Sequence, residues 1–166
     1  MAFPQLCSRS QAKERLGFFK NVTLLYPGLG GNPVIIVCVE CLLTGKGFYA
    51  NMILDTGSDE TCFPASFASL FGHCNTHPDV KVCKDAAQGI GGFSDTYIHS
   101  VRISLLHPDK STPKKPVIAW SSKLDKAPFV DKLECSNGLI GMDIIHDWKF
   151  LSFEPIRKGV LIRITV

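Results

Sequence analysis

The sequence is short of the features that mark several large protein classes. No apolar run approaches the ~20 residues that a membrane-crossing helix needs, so no membrane span is expected. Charge of one sign is not in excess: 18 Lys+Arg against 15 Asp+Glu leave +3 over 166 residues. The densest basic group, Lys110, Lys114 and Lys115 beside Pro113 and Pro116, lacks the density and interleaved aromatics of a nucleic-acid surface. It reads as a solvated loop, with no nucleic-acid partner expected. There is no phosphate-binding loop and no Gly-x-Ser-x-Gly elbow, which removes two large families of enzymes. Internal repeats and low-complexity segments are also absent.

The N-terminus, MAFPQLCSRSQAKERLGFFK, has no charged leader followed by an apolar stretch. The cysteines, at positions 7, 38, 41, 62, 74, 83 and 135, are odd in number. Together these favour reduced thiols and a cytoplasmic protein. What is present is an ordinary globular balance, 45% hydrophobic and 20% charged, in a length that suits one domain burying roughly 70% of its unfolded surface.

Many short strands are expected, hence a mostly β architecture with one or two short helices. Residues 1–30 read as an N-terminal arm or extra strand, with a strand over Asn21–Tyr26, and 31–166 as the main domain. Val34–Leu43 is β-branched and nearly continuous, so it reads as a buried strand. Thr44–Gly47 turns the chain into a second strand, Phe48–Leu54, making a hairpin. Pro64–Phe71, with Pro at the first position and Gly72 as a stop, predicts a short helix. Residues 73–88 read as irregular. Tyr97–Leu106 alternates, with Val101, Ile103 and Leu105 on one face. His107–Pro116 is a loop, Val117–Trp120 a short strand, 121–137 a polar segment, and Phe150–Phe153 with Val160–Thr165 a closing hairpin.

The chemistry is concentrated in Met52–Thr61, where a buried apolar strand ends abruptly in Asp55-Thr56-Gly57-Ser58-Asp59. Gly57 permits a tight turn as the chain leaves the core. A carboxylate there sits partly desolvated among backbone N–H and hydroxyl donors, a setting for acid/base work at a shifted pKa. The same residues also make an ordinary turn, and the tetrapeptide alone leaves both readings open. Two further features bear on the choice. Gly89-Ile90-Gly91-Gly92-Phe93 reads as the tip of a mobile hairpin whose glycines let backbone approach a ligand. Gly141, inside Leu139–Ile145, marks a place where another backbone passes closely.

In this order the three segments resemble the retropepsin-like aspartic proteases, over roughly Val34 to Thr165. The cellular bacterial-type members look most similar, through Phe63-Pro64, the short helix ending Leu70-Phe71-Gly72, and the Gly141–Phe153 segment before a terminal hairpin. The resemblance implies a closed-barrel-like acid-protease fold and a homodimeric aspartic endopeptidase without cofactor, acting on a peptide or protein substrate. Asp55 would be the catalytic carboxylate. Thr56 would brace the two turns across the dimer, and Gly57 would leave room for substrate. Ser58 would hydrogen-bond to the carboxylate, Asp59 would grip substrate backbone, and Gly89, Ile90, Gly91 and Gly92 would cover the bound peptide.

Hydrolysis by this route needs two close carboxylates sharing a proton. Asp-Thr-Gly occurs once, since Asp95-Thr96-Tyr97 lacks the glycine, so the second carboxylate is expected from a second chain about a two-fold axis. A different class of reading keeps the same fold as a non-catalytic module for dimerisation or peptide binding. Other candidates are weaker. Cys38 and Cys41 fit two core thiols better than a metal or redox pair, and His73, Cys74, His77 and Cys83 have poor zinc spacing, so no metal is expected. His99, His107 and His146 read as surface residues. Asp143 and Asp147 fit a helix start and first turn, and Trp120 and Trp148 read as core.

Overall fold

A computed structural model describes residues 6–7, 22–28, 32–89, 92–112, 114–133, 137–157 and 159–166. Its strands are β1 (Leu6–Cys7), β2 (Thr23–Pro27), β3 (Val34–Cys41), β4 (Gly47–Leu54), β5 (Phe63–Pro64), β6 (Lys81–Gly89), β7 (Gly92–Leu106), β8 (Ile118–Val130), β9 (Gly138–Ile140), β10 (Phe150–Ile156) and β11 (Gly159–Thr165). A 3-10 helix spans Ala65–Phe71 and one α-helical turn, α1, spans Met142–Ile145.

The hairpin of β3 and β4 forms as the β-branched run requires, in antiparallel register from Val34 opposite Ile53 to Glu40 opposite Gly47. Its turn uses Gly45 at φ 67, a left-handed conformation that favours glycine. The larger sheet runs β1-β4-β3-β7-β8-β5, with β6 on β7 and β9 on β4. β5 is parallel to β8, and the residue before it, Cys62, bridges to Leu139 of β9. The sheet therefore curls round until its two ends meet through β9, a nearly closed barrel. A smaller sheet, β10-β11-β2, packs Leu24, Ile162 and Ile164 into the same core.

The interior follows from the sequence pattern. Val37, Val39, Phe48, Met52, Val101, Ile103 and Leu105 are all buried, and the three on β7 share one face as their alternation predicts. Aromatic rings fill the middle: Phe63 stacks on Phe129 at 4.8 Å between centroids, and Phe71 contacts Phe48 at 5.0 Å and Phe129 at 5.8 Å. Such ring pairs add about 0.5–1.5 kcal/mol each beyond their buried area. The helix after β5 begins at Ala65, one residue later than Pro64, and is 3-10 rather than α. It stops where Gly72 turns left-handed at φ 64.

Several expectations need correction. Lys81–Gly89, read as irregular, is the strand β6. β8 continues ten residues beyond the expected Val117–Trp120, through the polar Ser121–Lys126 to the buried Ala127, Phe129 and Val130. Neither segment carries a continuous apolar run. β6 pairs with β7 alone, and the middle of β8 is half exposed, so neither needs one. His99 and His107 are buried rather than at the surface. Trp148 is in the core while Trp120, half buried, packs edge-on against it at 6.0 Å.

Candidate active site

Asp55 is the first residue past β4, half buried, with Thr56 and Gly57 exposed beside it. Its backbone N–H donates to the Ile140 carbonyl at 3.0 Å, so the end of β9 fixes where the chain leaves the core. Ser58 N–H closes the turn onto the Asp55 carbonyl at 3.2 Å. The carboxylate oxygen Oδ1 accepts the Gly57 N–H at 2.9 Å. A Cβ on residue 57 would lie 3.3 Å from that same oxygen, so a larger residue there crowds the carboxylate. The hydroxyl of Ser58, expected on the carboxylate, donates instead to the Glu60 carbonyl at 2.8 Å. A hydroxyl has one proton to give, so Ser58 stiffens the loop rather than the acid.

The turn is held from beneath by a knot of three segments. β9 lies between β4, to which it is parallel, and Cys62, whose N–H and carbonyl both bond to Leu139. Met142 N–H donates to the Ser58 carbonyl at 2.8 Å and Asp143 N–H to the Asp59 carbonyl at 3.1 Å. Asp143 Oδ1 accepts both from Thr61 N–H, at 2.9 Å, and from Thr61 Oγ1, at 2.6 Å. Thr61 Oγ1 in turn accepts the Gly141 N–H at 3.0 Å. Asp143, placed by its sequence at a helix start, is therefore also the clamp on the loop that follows Asp55. Nothing in its spacing shows this, because its partner is 82 residues away.

Glycine is required here for space. A Cβ at Gly141 would lie 2.5–2.9 Å from the backbone of Glu60, and one at Gly138 only 2.4 Å from the Met52 sulfur. The close backbone passage expected at Gly141 is present, at the junction of β9 and α1.

The clamp gives a testable consequence. Asp143→Ala strips the acceptor from the N–H of Thr61, a residue with no exposed surface. An unsatisfied buried donor costs about 1–3 kcal/mol. The urea midpoint is expected to fall accordingly, whereas Asp143→Asn, which keeps an oxygen in place, loses little. Equal loss in both variants would contradict this account of the clamp.

Asp59 and Glu60 are exposed and face solvent with Thr56 and Gly57. Of the glycine-rich segment, Gly89 and Gly92 sit opposite each other at the ends of β6 and β7, the close of a hairpin. Ile90 and Gly91 lie outside the described residues. Farther down the hairpin, Lys84 and Asp95 pair across a register shift between Cys83 and Ala87, and Phe93 is 60% exposed. Cys38 and Cys41 are both buried in β3. Among the described residues no group of three or more His, Cys, Asp or Glu is arranged to hold a metal ion. Cys74 contacts Thr76 Oγ1 at 3.1 Å, while His73 packs on His77 and His99.

No protein-family model and no curated protein matches the chain. Among solved structures it is similar to the EIAV protease in complex with the inhibitor HBY-793, at 18% identity over 74% of this chain and 92% of that one, with a TM-score of 0.41. It is also similar, at 14% identity over 89% of this chain and 96% of the other and again with a TM-score of 0.41, to a retropepsin-like aspartic protease from Rickettsia conorii, the family that the sequence itself resembles.

Proposed function

We propose that the chain is an aspartic endopeptidase that works as a homodimer, with water activated between two Asp55 carboxylates, one from each protomer. The observation that carries this reading is the acid turn itself. A carboxylate at the end of β4, oriented by the Gly57 N–H and flanked by exposed Thr56 and Gly57, is braced by β9 and α1. An ordinary surface turn needs no such support, and a reacting acid does, because small misplacements of a catalytic group cost large factors in rate.

One such turn supplies half of the chemistry. With two carboxylates about 3 Å apart, like charge keeps one of them protonated. The ionised partner takes a proton from the attacking water, and the protonated one polarises the scissile carbonyl. The roles reverse as the amine leaves. Thr56 braces the paired turns, Asp59 receives substrate backbone, and the hairpin tip at Gly89, Ile90, Gly91 and Gly92 covers the peptide and excludes water. Gly57 leaves room for the peptide. An open edge suited to a second copy supports the reading: β10 is the outer strand of the smaller sheet, and its Phe150, Phe153 and Ile156, which alternate between the two faces of the strand, are 49%, 40% and 46% exposed. Exposed apolar edge strands invite pairing.

The direct test is specific activity against protein concentration, with a broad peptide library as substrate. Activity per chain rises with concentration until the dimer saturates. Constant specific activity from a protein shown to be monomeric contradicts the proposal. Absence of any cleavage favours a non-catalytic module on the same fold.

A further inference from the structure

A second group of titratable side chains meets at the root of the β6–β7 hairpin. His99 of β7 is 2% exposed, and His73, on the segment between the 3-10 helix and β6, is 7% exposed. Their Nδ1 atoms are 3.2 Å apart, and His99 Nε2 is 2.9 Å from Asn75 Oδ1. Asn75 Nδ2 donates to the Ala65 carbonyl at 3.0 Å, which fixes the amide so that its oxygen faces His99.

These contacts determine the protons. An amide oxygen only accepts, so His99 Nε2 carries hydrogen. In a neutral ring its Nδ1 is then a bare acceptor, and the proton between the two rings belongs to His73 Nδ1. That leaves His73 Nε2 as a lone pair, buried with no hydrogen-bond partner among the described residues. Donation runs from His73 to His99 to Asn75 to Ala65, tying the loop to β7 and to the start of the helix. Neutral rings fit best. A second proton on His99 either sets N–H against N–H or drives the His73 proton to Nε2. Any charged pair then buries a cation beside an Nε2–H with no acceptor among the described residues.

We propose that the His73–His99–Asn75 chain is an acid-released latch, which fastens the root of the β6–β7 hairpin at neutral pH and frees it on protonation. The consequence for catalysis rests on the reading of that hairpin as the cover of bound peptide; the latch itself does not.

The surroundings favour neutral rings. The His77 ring lies 4.5 Å from that of His73, with its Nδ1 3.5 Å from Asp79 Oδ2. From the β3–β4 turn the Lys46 ammonium lies against Gly72, beside His73. β8 presents Ala127 opposite His99 and the Phe129 ring at 4.5 Å, both uncharged. The 3-10 helix has no charged residue, and β6 places Lys81 opposite Ile98, the neighbour of His99. Burial, then the charge of His73, holds His99 down at about 4. Burial and then His77 lower His73 against a weaker upward pull from Asp79. An opened segment returns these rings to about 6.5. The open form thus binds more protons, so the latch weakens as pH falls below about 6.5 and is lost by about 4.

Amide hydrogen exchange on the full chain, corrected for intrinsic rates, reads the latch. Between pH 7 and 4.5, protection over residues 74–83 is expected to fall on the order of 50-fold, the protonation difference between an open ring near 6.5 and a latched one near 4. β10 and β11 keep their protection. The Cε1 proton of His99, followed by NMR, titrates near 4, at the acid end of that fall. His99→Gln, which keeps a donor and an acceptor but does not titrate, removes the His99 share of the pH dependence and leaves only the smaller one of His73. Should that variant fail to fold, the wild-type titration and exchange decide alone. Titration of His99 near 6.5, uniform loss of protection, or no loss overturns the proposal. Neither readout uses cleavage, so an inactive chain leaves this test intact, and a failed latch leaves the protease reading intact.

Discussion

Replacing Asp55 by asparagine is expected to abolish peptide cleavage while leaving the fold and self-association in place. Asparagine has nearly the volume of aspartate, and its side-chain oxygen can still accept the Gly57 N–H that Asp55 Oδ1 accepts at 2.9 Å. The β9 bond to residue 55 comes from backbone and is untouched. What disappears is the only group at this point of the turn able to take a proton from water. General acid–base catalysis alone contributes about 10²–10⁴-fold, so a loss of at least that order is expected in kcat/KM. Self-association holds or improves, because two close carboxylates carry an electrostatic cost that sharing one proton relieves only in part. Wild-type activity follows a bell in pH with its maximum on the acidic side of neutral, where the pair holds a single proton. Cleavage that persists in pure Asp55→Asn protein contradicts the assignment. A wild type inactive across roughly pH 3–8, a span covering the ordinary carboxylate range, points to the binding module.

Gly141→Ala is expected to damage both stability and activity. The added carbon falls 2.5 Å from the Glu60 carbonyl carbon and 2.6 Å from its oxygen. These are main-chain atoms in a loop already bonded to Ser58, Thr61 and α1, so no rotamer change relieves the contact. The backbone φ of Gly141 is −91, ordinary for any residue, so the penalty is one of space. Overpacking of this kind costs about 1–3 kcal/mol or more, which for a domain of this size lowers Tm by about 2–4 °C per kcal/mol. Relief comes only by moving residues 58–61, the loop directly after the acid, so kcat should fall by more than the unfolded fraction explains. Thermal unfolding and kinetics on the same sample separate the two. Unchanged Tm and unchanged kcat together would show that the loop has slack the structure does not indicate.

The parts of this molecule legible in its sequence are those whose signal is local. The β3–β4 hairpin is written in β-branched residues and Gly45, the acid turn in Asp55-Thr56-Gly57, and the terminal hairpin in two apolar runs about Gly159. The 3-10 helix is legible too, bounded by Pro64 and Gly72. Elements whose stability comes from one neighbour are hidden. β6 carries no apolar run because β7 alone supplies its ladder, and β8 carries its polar middle through on pairing with β7. Side-chain roles set by distant partners are equally hidden. Asp143 meets Thr61, and His99 meets His73 and Asn75, only after the barrel has curled. Ser58 shows the opposite error: a residue beside the acid, with a suitable hydroxyl, that turns to a nearer carbonyl.

The crossing of β9 between β4 and Cys62 has a consequence for when the protein acquires its acid turn during synthesis. Every bond that braces the turn from β9 and α1 joins residues about eighty positions apart. Contacts of such separation form late, because a long loop must close before they return any stabilisation. While a ribosome is still adding the middle of the chain, Asp55 is present but its scaffold is not. The segment that completes it, Gly138–Asp143, is added only about eighty residues after Asp55. On the proposed protease reading, a growing chain is in this way spared a formed acid turn beside its own unfolded segments.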